Sequence, residues 1–140
     1  MATKADFSED EWKAMQKGLI GSGLLVALSD PDFTDTFGEV SSIAKYLAEQ
    51  HASGGSELIR ELAGVHGRGG FGLTDSRAEV ESETLAALGS ARETLEAKAP
   101  DEVEAYRSVA LGVAERAASA KSGVEPAETA AIERIREALG

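Results

Sequence analysis

The chain has 140 residues, 42% of them hydrophobic, with a formal net charge of −11 and no cysteine. That length fits one domain large enough to bury a core. An acidic surface repels phosphate backbones and anionic lipid heads, which excludes nucleic acid and membrane surfaces as partners and favours cations and basic protein patches; the missing thiols exclude disulfides, thiolate metal sites and cysteine nucleophiles.

Ala and Leu are prominent and only 5% of the residues are aromatic, a composition that suits closely packed helices better than a β-sandwich. The start, Met1-Ala2-Thr3-Lys4-Ala5-Asp6, has no apolar core of a signal peptide. The longest apolar stretch, Leu19 to Leu28, is broken by Gly and Ser and is too short to span a bilayer. A cytoplasmic location is therefore expected.

The first helix opens on Ser8 and Glu11, a capping-box pair in which each side chain reaches the other's backbone N–H. Phe7 and Trp12 stand at the spacing of a hydrophobic staple, and Trp12, Met15, Leu19 and Val26 continue an apolar stripe. Gly18, Gly21 and Gly23 weaken this helix by up to about 1 kcal/mol each, so close packing against a neighbour is expected there. Asp30-Pro31-Asp32 ends it, because proline disfavours helical geometry at the preceding residue. Thr34 or Asp35 caps a second helix carrying Val40, Ile43, Tyr46 and Leu47, which closes between Gln50 and Ser53 before Gly54-Gly55. Ser56 then caps a short helix through Leu58, Ile59 and Leu62.

Residues 64–75 read as a Gly-rich loop dividing the chain into halves. Thr74 or Asp75 caps a long helix to about Lys98, with Val80, Leu85, Leu88 and Leu95 as its core. Pro100 suits the first position of the next helix, whose stripe is Val103, Tyr106, Ala110, Val113 and Ala117. That stripe is Ala-rich, so a neighbour must approach closely. The last helix starts at Pro126 and buries Ala131, Ile132, Ile135 and Leu139. The fold class is all-α: a single helical domain over residues 1–140, about six helices in two pseudo-repeated halves (about 7–63 and 76–140).

Several patterns invite a chemical reading. Gly67-Arg68-Gly69-Gly70-Phe71-Gly72 matches the spacing of a dinucleotide loop, but the segment before it reads as helix and no ribose-binding acidic residue follows in a βαβ context. A mobile loop between the halves fits better, and His66, Arg68 and Phe71 make it a candidate contact loop for a protein partner. Asp30, Asp32 and Asp35 begin like a calcium loop, yet the sixth position is Asp35 rather than Gly and the twelfth is Ser41 rather than Glu. Cation binding of another kind by these carboxylates with Glu39 stays open beside simple helix capping. Glu125 and Glu128 flank Pro126 at a helix start, where the dipole favours carboxylates without any ligand. His51 and His66 have no metal-ligand spacing, and no Ser, His and Asp fall into a nucleophilic pattern. No enzyme is expected, with a hydrolase or ligand-binding activity as the minor alternative.

The segment Val113 to Gly140 resembles the second repeat of the TerB-like (tellurite-resistance) helical family, through Ala118, Ser122-Gly123, Pro126, Glu128, Ile132, Ile135 and Leu139-Gly140. Ala27, Asp30, Glu39 and Ile43 stand for the first repeat, and the resemblance covers about two fifths of the chain. Ser122 replaces the turn Asp of the second repeat, and Asp30 and Glu39 are more widely spaced than in the family. The resemblance implies a non-catalytic cytoplasmic protein linked to tellurite or general stress response, working through protein contacts. It also implies a divalent cation, such as Ca²⁺ or Mg²⁺, between turn carboxylates, onto which Asp30, Glu39 and Glu128 carry over. The candidate metal set is Asp30, Asp32, Asp35, Glu39, Glu125 and Glu128. The alternatives are a metal-free interaction or self-association module and a small-ligand carrier or enzyme with a pocket between the halves.

Overall fold

A computed structural model describes residues 4–28, 36–64, 76–119 and 126–140. The described residues form six α-helices: α1 Glu9–Leu28, α2 Thr36–Ser53, α3 Glu57–Leu62, α4 Arg77–Lys98, α5 Val103–Ser119 and α6 Pro126–Leu139. Short 3₁₀ turns at Lys4–Asp6 and Pro100–Glu102 precede α1 and α5, and no strand occurs among the described residues. No helix among them is long and apolar enough to cross a membrane.

Helix α1 is the axis of the bundle. It packs against α4, α5, α2 and α6, and every residue from 18 to 26 is buried. The expected stripe of Trp12, Met15, Leu19 and Val26 is buried, but so are Ile20, Leu24 and Leu25 on the other sides. A helix buried on all sides needs small residues where neighbours cross it. A Cβ on Gly18 would come within 2.5 Å of the Tyr106 hydroxyl and 3.0 Å of Leu88, and a Cβ on Gly23 would collide with Ile43 and Val113. Two of the glycines expected to sit at crossings, Gly18 and Gly23, thus seat α4, α5 and α2 on α1. Tyr106, fully buried, donates its hydroxyl to the Met15 carbonyl at 2.7 Å. Burial pushes its phenol far above the ordinary tyrosine range, so it stays a donor. Ser22 is buried too, and its hydroxyl donates to the Gly18 carbonyl at 2.7 Å, the internal bond a hydroxyl uses inside a helix.

The helix starts follow local chemistry. The Ser8 amide donates to Glu11 Oε1 at 2.8 Å and the Glu11 amide to Ser8 Oγ at 3.1 Å. Phe7 and Trp12 meet with ring centroids 6.2 Å apart. Ser56 caps α3 by accepting from the Ile59 amide at 3.1 Å, and the same hydroxyl donates to Glu102 Oε2 at 2.8 Å. That second bond satisfies a carboxylate which is only 6% exposed at the entry to α5.

Three expectations are corrected. The cap of α4 is Ser76, whose hydroxyl accepts from the Glu79 amide at 3.2 Å. Ser76 and Glu79 stand at capping-box spacing one residue beyond Asp75, and Thr74 and Asp75 lie outside the described residues. Leu85 is half-buried, because the buried line of α4 runs through Val80, Thr84, Leu88, Ala91 and Leu95, and Leu85 points about 100° away from Thr84. Ile132 is likewise half-buried, while Ala131, Ile135 and Leu139 are buried as expected. Thr84 takes a core position with its hydroxyl buried and without a hydrogen-bond partner.

Helix directions follow from paired contacts. Helix α4 runs opposite to α1: Lys98 meets Glu11, and Leu88 lies beside Gly18. Helix α5 runs the same way as α1, since Gly18 faces Tyr106 and Gly23 faces Val113. Helix α6 runs with α4, because Arg134 reaches Glu81 and Arg92 lies beside Gly140. The C-terminal ends Leu28 and Ser119 and the helix starts Arg77 and Pro126 therefore share one end of the bundle.

Candidate functional site

That shared end is where the sequence places its acidic turns. Residues 29–35 leave α1 at Leu28, and residues 120–125 join α5 to α6. Asp30, Asp32, Asp35 and Glu125 lie outside the described residues, as do His66, Arg68 and Phe71 of the expected contact loop. Glu39 and Glu128 lie in the first turns of α2 and α6, with their side chains outside the description. Helices α1 and α5 thus end, and α4 and α6 begin, at one end of the bundle. The carboxylate geometry that would hold a cation is not among the described residues. Among those that are described, no three carboxylate or imidazole side chains converge as a metal would require.

The described surface does hold a cleft that the periodicity did not predict. Helices α2 and α6 flank α5 and leave its outer face open. The cleft has a volume of about 520 Å³ and is lined by Tyr46, Gln50, Gly112, Glu115, Arg116 and Ile132, with Ala118 at its edge. Gly112 makes it possible: a Cβ there would collide with the Tyr46 ring, so the glycine lets the phenol lie flat on α5. The Arg116 guanidinium covers that ring, with Cζ 5.0 Å from its centroid. Its Nη2 lies 3.6 Å from Glu49 Oε2. Burial pushes the Tyr46 phenol above its ordinary value and nearby Glu115 and Glu49 add to this, while Arg116 pulls the other way. A tyrosine spaced with Ile43 and Leu47 on one helix reads as packing, and only the glycine facing it from α5 signals a cleft.

A second depression, about 510 Å³, opens at the start of α1 beside Lys4, Phe7, Glu9, Trp12, Lys13 and Gln16. Lys4 Nζ lies 5.5 Å from the Trp12 ring centroid. On the neighbouring side Lys98 binds Glu11 Oε1 at 2.6 Å and the Asp6 carbonyl at 3.3 Å, and its Nζ stands 5.8 Å from the Phe7 centroid. These contacts tie the entry of α1 to the end of α4 and leave no convergent acid–base pair. His51, the one histidine described, faces the Arg60 carbonyl through Nδ1 at 2.8 Å, a packing role in the α2–α3 corner.

No family model, curated protein or solved structure matches the chain.

Proposed function

We propose that the chain is a non-catalytic, cytoplasmic TerB-like protein that works through protein contacts, tuned by a divalent cation at its acidic inter-helix turns. The link to tellurite or general stress response comes with the resemblance. The observation that supports the reading is the common direction of α1 and α5, set by Gly18 against Tyr106 and Gly23 against Val113. Two helices running together send their following turns off the same end, so carboxylates of both turns have a common region in which to meet. A cation bridging them would fix the angle between α1–α2 and α5–α6, and so the shape offered to a partner.

Thermal unfolding of chelator-stripped protein, with and without millimolar Ca²⁺, Mg²⁺ or Mn²⁺, tests this. One ion at about a hundred times its dissociation constant adds about 2.7 kcal/mol of stability. The double substitution Asp30→Asn with Glu128→Gln removes that gain. A shift of the same size in the double variant, or no shift with any ion, sinks the cation-linked reading. In that case the second reading stands, a metal-free interaction or self-association module, which the open cleft between α2, α5 and α6 favours.

A further inference from the structure

The Tyr46–Glu49 corner of the cleft is built as a guanidinium site that the protein fills with its own arginine. A ring face and a carboxylate one helical turn apart are the two groups that hold an arginine side chain best, one by the cation–π attraction and the other by charge. Both lie on α2, and the guanidinium comes from α5, with Cζ 5.0 Å from the Tyr46 centroid and Nη2 3.6 Å from Glu49 Oε2. The hold is loose. The Arg116 side chain keeps 48% of its exposure and that of Glu49 47%, the condition in which an ion pair adds little and is readily exchanged. Glu115 and Gln50 stand beside it, and Ala118 and Ile132 offer apolar wall for a methylene stem. With Arg116 swung away, the charged groups left at the corner among the described residues are the two carboxylates Glu49 and Glu115.

We propose that this cleft docks an arginine-bearing basic segment of a partner protein, and that Arg116 is its intramolecular competitor, displaced when the partner's guanidinium enters. The inference rests on the reading that the chain acts through protein contacts, and it names the partner's chemistry. The net charge of −11 supplies the long-range attraction for such a segment. Gly112 supplies the depth, because any side chain there would lift Tyr46 out of the floor.

Removing the competitor should tighten binding, which no ordinary contact residue does. The test is anisotropy of a fluorescein-labelled tri-arginine peptide at low salt, with the tri-citrulline peptide as the uncharged isostere. Arg116→Ala should bind tri-arginine about fivefold tighter than the wild type, the scale of a lost surface ion pair with ring contact. Tri-citrulline should show no gain. Adding Glu49→Gln to Arg116→Ala should return binding to the wild-type level or below. Arg136→Ala changes net charge equally but removes a pair internal to α6, with Glu133, so it should leave affinity unchanged. Circular dichroism of each variant establishes that it is folded. Equal or weaker binding by a folded Arg116→Ala overturns the proposal, and so does an equal gain in Arg136→Ala, which would mark the effect as net charge alone. The divalent-ion shift is read without peptide and involves none of these residues, so failure here and failure of the cation-linked reading are separate results.

Discussion

Single residues set the crossings in this bundle, and the glycines differ by what faces them. Gly18 lies under the Tyr106 hydroxyl and Leu88, whereas a Cβ on Gly89 would meet nothing within 4 Å. Both stand inside helices, so alanine improves intrinsic helicity at each by up to about 1 kcal/mol. At Gly18 the collision dominates, because overpacking a filled core costs about 1–3 kcal/mol. Gly18→Ala should therefore lower stability in urea unfolding while Gly89→Ala raises it. The same sign for both would mean that helix propensity, not packing, governs these sites. The distinction was half legible in the sequence: a run of glycines in an apolar helix announces close packing, but it does not name the neighbour.

At the scale of elements, the entry of α1 is tied to the end of α4 through Lys98. Its ammonium, first as a hydrogen-bond donor to the carboxylate, and the Ser8 amide after it hold the Glu11 carboxyl below its ordinary value of 4.5. A carboxyl whose folded value is depressed contributes stability that is fully present above its unfolded value and is lost as pH falls through the folded one. The contribution of Glu11 should fade below about pH 4.5. Glu11→Gln should flatten that part of the stability curve and leave the curve's shape above pH 6 alone, as read from thermal midpoints across a pH series. A glutamine variant that keeps the full acid slope would place the titration elsewhere. The capping box and staple were readable because they are local, within five residues. Lys98 stands 87 residues away from Glu11, and no local pattern could pair them.

For the whole molecule, α1 belongs by sequence to the first half but packs mainly on α4 and α5 of the second. The two halves therefore share one core rather than owning one each. A fragment of residues 76–140 would expose the faces of α4 and α5 that α1 covers. It should lack a cooperative melt on its own and regain one when mixed with residues 1–63, as followed by circular dichroism. A sharp independent transition in the isolated fragment would contradict the shared core.

What the sequence determined by itself is what short-range chemistry decides. It specified the all-α class, six helices, the caps at Ser8 and Ser56, the break at Gly54-Gly55 and the Ala-rich stripe of α5. Caps, breakers and helical periodicity act within a turn or two, so they survive without knowledge of neighbours. Helix packing alone decides that residues 18–26 of α1 are enclosed on all sides, that Thr84 rather than Leu85 faces the core, and that Tyr46 floors a cleft under Arg116. The common direction of α1 and α5 is likewise a matter of packing. Each of these depends on the direction and offset of helices distant in sequence, and such offsets are set by how side chains of different helices interlock.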